Sequence, residues 1–107
     1  MILINVRFTP KPEHADNFRE LVDEFTRATR AEEGCLFFEW YRGTDNAGEY
    51  ILVEGFKDDA AEAHVSSEHF RRATELFPTI LVKTPEIINT LIEGKTEWDE
   101  MAEFKVQ

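Results

Sequence analysis

Cysteine is nearly absent from this sequence of 107 residues, and long hydrophobic runs are missing. The single cysteine, Cys35, cannot form an internal disulfide, which is typical of proteins in a reducing compartment. No run approaches the roughly eighteen apolar residues of a membrane span. Residues 1–7 lack the basic start and long apolar stretch of a signal peptide. We therefore expect a cytoplasmic protein without a membrane-spanning segment.

Basic residues are also scarce. The chain has 12 lysines and arginines against 22 acidic residues, for a formal net charge of −10. Such a surface repels nucleic-acid backbones and anionic membranes, so neither is an expected partner. A solvated acidic surface is sufficient to explain the charge. Hydrophobic content of 42% and charged content of 32% are ordinary for a globular protein, and the length fits one domain.

The first third of the chain predicts a strand followed by a helix. Apolar residues alternate over residues 2–8, with Ile2, Ile4, Val6 and Phe8 on one face. Over residues 13–31 the spacing of apolar residues is helical, which predicts one amphipathic helix. Gly34 follows at a position where helices often end in a residue with positive φ.

The middle of the chain predicts a hairpin and two short helices. Strand-like runs at 35–42 and 50–56 flank a turn-forming cluster, which is typical of an antiparallel hairpin. Asp59 followed by Glu62 fits a capping box that starts a short helix. Ser66 and Ser67 interrupt that helix and can cap a second one, which we expect Pro78 to limit.

The last predicted strand covers residues 86–92 and gives the order β-α-β-β-α-β, a ferredoxin-like α+β fold with an antiparallel sheet. We expect the domain to span 2–93 and residues 94–107 to form a C-terminal extension. The first, second and fourth predicted strands are apolar on both faces, whereas a sheet with one face in water alternates apolar and polar residues. The second face therefore predicts a contact with a second copy of the chain, that is, a homodimer with the extension at its interface.

The stretches 30–36, 39–42, 50–56 and 63–70 resemble antibiotic biosynthesis monooxygenase domains, and the similarity runs from about residue 2 to residue 93. Within that superfamily the chain is most similar to the small quinol-monooxygenase-like branch. The resemblance implies a dimeric α+β barrel with a pocket between sheet and helices. It also implies oxygenation of a quinol or polycyclic aromatic substrate without a cofactor. Haem-degrading relatives place their haem-ligating histidine where this chain has Thr74, so no haem is expected.

Three polar residues interrupt otherwise apolar elements: Asn5, Glu54 and His64. A cofactor-free oxygenase needs a base, a hydrogen-bond partner for the substrate oxygen and an apolar cavity. Imidazole titrates near neutral pH, so His64 is the candidate base. Glu54 is the candidate group that orients His64, and Asn5 is the candidate that holds a substrate oxygen. A structural role is open for each, including an ion pair between Glu54 and His64.

Four aromatic residues are candidates for stacking on a substrate ring: Trp40, Phe38, Tyr41 and Phe70. Aromatic residues in strands also serve as core or interface, and that alternative stays open for these four.

No metal site is expected. His64 and His69 are five residues apart, which places them on different sides of a continuous helix. His69 is interpreted as a surface or capping residue and His14 as a solvated one. No glycine-rich loop that would bind a nucleotide phosphate follows a strand. The sequence therefore predicts neither a metal nor another cofactor.

Three functions are compatible with these patterns. The first is cofactor-independent oxidation of a small aromatic substrate. The second is non-catalytic binding of a small molecule by a dimeric module. The third is isomerisation of a small hydroxylated or phosphorylated metabolite, for which only a few cations are available to a phosphate: Arg7, Arg42, Arg71, Arg72 and Lys83.

Overall fold

The computed structural model describes residues 1–107 and confirms the predicted α+β, ferredoxin-like fold. Four strands form one sheet in the order β2-β3-β1-β4, and every neighbouring pair is antiparallel. The strands are β1 (Ile2–Phe8), β2 (Cys35–Arg42), β3 (Tyr50–Phe56) and β4 (Glu86–Leu91). None of the helices combines the length and apolarity that crossing a bilayer requires.

Four helices pack on one face of the sheet, and short 3₁₀ turns lie before the first and in the C-terminal extension. The helices are α1 (Phe18–Leu21), α2 (Asp23–Arg30), α3 (Ala61–Val65) and α4 (Glu68–Ile80), and the 3₁₀ turns are Pro12–His14 and Ala102–Phe104.

The prediction of one helix over 13–31 is wrong, because the segment divides into a 3₁₀ turn, α1 and α2. The last division falls at Val22, whose φ of −102° and ψ of 10° are not helical. The hydroxyl of Thr26 donates to the carbonyl oxygen of Val22 at 2.7 Å. A hydroxyl that donates back to the preceding turn in this way bends helices.

The predicted helix ends are only partly confirmed. Ser67 caps α4 by accepting a hydrogen bond from the Phe70 amide at 3.2 Å. The capping box at Asp59 does not form, since the residue before α3 is Ala60 and offers no side-chain cap. Pro78 lies inside α4 rather than ending it. The buried Ile80 holds the last turn in place, and its carbonyl oxygen accepts from the Lys11 amide at 2.8 Å.

The core lies between the helices and strands β1, β2 and β3. Its completely enclosed side chains include Phe18 and Val22 from the helical layer and Phe38, Leu52 and Phe56 from the sheet.

Gly34, which directly precedes β2, has a different role from the predicted one at a helix end. Gly34 does not have positive φ. A Cβ at this position would instead lie 2.3 Å from the Cβ of Ala60, so glycine permits the close approach of two chain segments.

A β-bulge at the start of β2 changes which residues face the core. Cys35 pairs with Phe56 and Phe37 pairs with Gly55, so the register shifts between them. Cys35 is half-buried against the core, whereas Phe37 faces the other side and packs on Trp98 at 5.5 Å between ring centroids. Cys35 and Phe37 therefore lie on opposite faces of the sheet although they are only two residues apart.

Strand β4 is the uncovered part of the sheet. All six of its residues are exposed, because the helices reach across β1, β2 and β3 but not over this edge. A cleft is therefore left on the helix side, between β4 with the adjacent part of β1 and helix α4.

Candidate active site

A cavity of about 480 Å³, here called the helix-side cavity, occupies that cleft. Its walls are mostly apolar, with Ile4 and Val6 of β1 facing Phe70, Ala73 and Phe77 of α4. Its volume falls in the range of small-molecule sites, which is about 300–1,000 Å³. The fold therefore provides an apolar pocket between sheet and helices that is large enough for an aromatic ring system.

Few polar side chains line the helix-side cavity: Glu54 from β3, His64 from α3, Thr74 from α4 and Asn89 from β4. No lysine or arginine lines it. The cations considered for a phosphorylated metabolite therefore do not line this cavity. An apolar cavity with a few convergent polar groups suits an uncharged substrate that has one or two oxygen atoms.

His64 is fixed by Glu32 and not by Glu54. The Nδ1 atom of His64 lies 2.7 Å from Oε2 of Glu32, and the same oxygen lies 2.6 Å from Nε2 of His69. An ionised carboxylate only accepts, so each ring N–H donates to it. No protein group forms a hydrogen bond with the Nε2 atom of His64, and this atom is not fully enclosed. Since His64 lines the cavity, Nε2 is its free acceptor.

The break between α3 and α4 allows both histidines to reach Glu32. On a continuous helix five residues correspond to a rotation of about 140°, which would separate the two rings. Here α3 ends at Val65 and Ser67 caps α4, and the Ser67 hydroxyl donates to the His64 carbonyl oxygen at 2.6 Å. The expectation that His64 and His69 diverge is therefore wrong. His69 is also no surface residue, since only 19% of its side chain is exposed.

Glu54 is buried, with 6% of its surface exposed, in the wall of the cavity. Burial, and secondly the negative charge of Glu32, raise the pKa of the Glu54 carboxyl to about 8. At neutral pH this side chain is therefore largely a neutral carboxylic acid that can donate a hydrogen bond or a proton. Burial also raises the pKa of the Cys35 thiol, to about 11, so Cys35 is not a thiolate nucleophile at neutral pH.

The structure brings three of the seven predicted site residues together at the cavity: Glu54, His64 and Phe70. The other four lie elsewhere. Asn5 and Tyr41 are on the opposite face of the sheet, and 53% of the Tyr41 surface is exposed. Phe38 is enclosed in the core, and Trp40 packs beside it and donates from its indole nitrogen to the Thr26 hydroxyl at 2.8 Å.

Sequence reasoning missed Glu32, His69 and Asn89. Asn89 had a detectable signal, because it lies between Ile87 and Leu91 as the one polar residue on that face of β4. It pairs directly with Ile4 of β1 and therefore points into the cavity. Glu32 had no local signal, since it lies in the turn after α2 and meets His64 only in the folded chain.

Comparisons with known proteins connect this site to a family. The family model for antibiotic biosynthesis monooxygenases matches residues 1–76. The protein Rv0793 of Mycobacterium tuberculosis is 33% identical over 70 residues, which are 64% of this chain and 68% of that protein. The protein sll1783 of Synechocystis is 27% identical over 78 residues, or 72% of this chain, and the chain spans 53% of its length.

Solved structures agree with the sequence comparisons. The structure of Rv0793 superposes with a TM-score of 0.75 at 26% identity and covers 92% of this chain and 96% of that one. A crystal structure of an antibiotic biosynthesis monooxygenase superposes with a TM-score of 0.74 at 25% identity, over 84% of this chain and 96% of that chain. Sequence and fold therefore point to the same family, and the expected resemblance is confirmed.

Proposed function

We propose that this chain, which belongs to the antibiotic biosynthesis monooxygenase family, is itself a monooxygenase. In this proposal it oxidises a quinol or polycyclic aromatic substrate and uses no cofactor. One observation supports this most strongly. The helix-side cavity is apolar and contains two groups with complementary roles, an oriented imidazole and a carboxylic acid that is neutral at neutral pH.

His64 is proposed as the base. Its Nδ1–H donates to Glu32 at 2.7 Å, which fixes the tautomer in which Nε2 accepts a proton. The carboxylate also stabilises the imidazolium that forms when a substrate hydroxyl is deprotonated. Glu32 does not line the cavity, so it acts through His64 and is a positioning residue.

Glu54 is proposed as the acid that acts on reduced oxygen. Deprotonated quinols transfer an electron to O₂, and the two radicals join to form a ring peroxide. The protonated Glu54 carboxyl donates its proton to this peroxide anion. Without that proton the negative charge of the peroxide would be uncompensated in the apolar cavity. The aromatic residues Phe70 and Phe77 bound the space that the substrate ring occupies.

The proposed reaction balances without an external reductant. One quinol and one O₂ give one hydroxyquinone and one water. A carbon–oxygen bond forms, the O–O bond breaks when the hydroperoxide loses water, and four electrons pass from the quinol to O₂. The proton that His64 takes from the substrate hydroxyl leaves in that water or returns to solvent. The substrate itself therefore supplies all the electrons.

We expect metal-stripped protein to consume one O₂ for each quinol or anthrone-like molecule oxidised. In ¹⁸O₂ the product gains one labelled oxygen atom, which mass spectrometry detects. Reactions without protein are the control, because quinols also oxidise spontaneously. Saturable binding without oxygen uptake contradicts the proposal and favours a binding module. Product formation without oxygen uptake contradicts it in favour of an isomerase.

We also propose that the protein is a homodimer that pairs through the face of the sheet turned away from the helices, here called the outer face. This face has apolar side chains along its strands, including Leu3, Phe37, Val53 and Ile88. Ile88 is 75% exposed in the single chain. The extension 94–107 lies beside the same face, where Trp98 packs on Phe37, so it adds to the proposed interface.

The dimer proposal predicts that Ile88→Asp gives monomers, because a charge buried in an apolar interface is left without a partner. Sedimentation equilibrium should give twice the chain mass of 12.5 kDa for the wild type and the chain mass for this variant. Ile87→Asp is the matched control, since Ile87 lies on the same strand but faces the helix side. A monomeric wild type, or equal dissociation of both variants, contradicts the proposed interface.

A further inference from the structure

Glu32, His64 and His69, here called the Glu–His–His cluster, bring one potential ligand atom each into a compact group. These atoms are a carboxylate oxygen and two ring nitrogens, and all three lie within 4.8 Å of one another. We infer that the Glu–His–His cluster is a binding site for one divalent transition-metal ion.

The spacing of the donor atoms is close to that of a metal site. Ligands of a tetrahedral zinc ion lie about 2.1 Å from the metal and therefore about 3.4 Å from one another. In the cluster the shared carboxylate oxygen lies 2.7 Å from His64 Nδ1 and 2.6 Å from His69 Nε2. An ion therefore requires the oxygen to move about 0.7–0.8 Å away from each nitrogen, and any pair of donor atoms that lies farther apart, up to 4.8 Å, to close to the same spacing. A change of this size is within reach of side-chain rotation.

The chain positions all three ligands with few degrees of freedom. Glu32 is in the turn between α2 and β2, and the two histidines flank the break between α3 and α4. The Ser67 cap fixes that break. The side chains are 8% exposed for His64, 13% for Glu32 and 19% for His69. The cluster is thus largely enclosed but still open to water, which can fill a fourth coordination position.

The ligand types determine which ion fits. Two imidazoles and one carboxylate suit zinc and neighbouring transition metals, whereas Mg²⁺ and Ca²⁺ prefer oxygen ligands alone. Local charge also favours a cation. Glu32 is close enough to raise the pKa values of both Glu54 and Cys35, so negative charge is already unfavourable in this region.

Metal binding at the cluster does not rest on the proposed function. The two are linked only through His64, because a metal on Nδ1 leaves the ring proton of neutral imidazole on Nε2. Nε2 then cannot accept a proton from a substrate, so metal-bound protein lacks the proposed base. Calorimetric binding and oxygen uptake are separate measurements, so the failure of one proposal is distinguishable from the failure of the other.

The test is titration of untagged, chelator-treated protein with Zn²⁺ by isothermal calorimetry. We expect one Zn²⁺ per chain and no comparable binding of Mg²⁺. His69→Ala and Glu32→Gln should each weaken the affinity for Zn²⁺ by at least about 10–100-fold. His14→Ala is the matched control and should bind Zn²⁺ like the wild type, because His14 lies in the 3₁₀ turn before α1 and is not in the cluster.

A second measurement on the wild type covers the case in which a variant does not fold. Zn²⁺ should shift the NMR signals of His64 Nδ1 and His69 Nε2 and leave those of His14 unchanged. If the wild type binds no stoichiometric Zn²⁺, or if the cluster variants bind it as tightly as His14→Ala, the three residues form a structural hydrogen-bond network and the inference is overturned.

Discussion

Replacing His64 by alanine is expected to lower the rate of oxygen uptake with quinols by about 10²–10⁴-fold, the usual effect of removing a general base. The reason is that His64 is the one imidazole at the helix-side cavity, and its Nδ1 contact with Glu32 orients the ring and leaves Nε2 without a protein partner. The neutral Glu54 carboxyl cannot replace it at neutral pH. The measurement is steady-state oxygen consumption by metal-stripped wild type and variant at pH 7.

Loss of structure has to be separated from loss of the base, since His64 packs against Phe56 at 4.7 Å and Phe70 at 5.1 Å between ring centroids. His64→Asn provides this separation. Its amide can still donate to Glu32, but no acceptor remains at the position of Nε2. We expect near-native urea denaturation and the same loss of oxygen uptake for this variant. Near-native turnover by His64→Asn contradicts the assignment of His64 as the base.

The overall fold was predictable because its signals are local. Strand β1 has an apolar residue at every second position from Ile2 to Phe8, and the turn-forming cluster between 42 and 50 leaves one plausible pairing for β2 and β3. The errors came from contacts that local patterns do not contain. The bend at Val22 depends on a hydroxyl in the next turn, and the end of α4 depends on the packing of Ile80.

The candidate site was only half predictable, since strand order and register decide which residues meet. Asn5 and Asn89 are the same residue type on neighbouring strands, but only Asn89 points into the helix-side cavity. The pairing of Ile4 with Asn89 sets this difference. Trp40 and Phe38 lie on β2, two strands away from β1, and neither lines the cavity. No single segment of the sequence contains that order.

Glu54 gives the second prediction with a large expected effect, on stability. The pKa of its carboxyl is about 8 in the folded chain and near 4.5 when it is exposed. Between these values the folded chain retains a proton that the unfolded chain releases, so the free energy of unfolding falls as pH rises. At ~1.4 kcal/mol for each pKa unit, the loss between pH 5 and pH 9 amounts to several kcal/mol.

Urea denaturation at pH 5, 7 and 9 measures this loss, and Glu54→Gln should abolish most of it because the amide is neutral throughout. The variant is then more stable than the wild type at pH 9. Glu39→Gln is the matched control on β2, where the exposed carboxylate should leave the pH dependence unchanged. A wild-type free energy of unfolding that is flat from pH 5 to 9 contradicts a neutral, buried Glu54.

The same titration distinguishes a catalytic acid from a merely buried one. If Glu54 donates its proton to a peroxide, oxygen uptake by the wild type falls above about pH 8, where the proton is lost. The free energy of unfolding then stops falling at the pH at which turnover begins to fall, because both depend on the folded-state pKa of one carboxyl group. A free energy of unfolding that levels off near pH 8, with turnover unchanged at higher pH, would leave Glu54 in the cavity wall without a role in proton transfer. His64 would then have to carry both proton transfers.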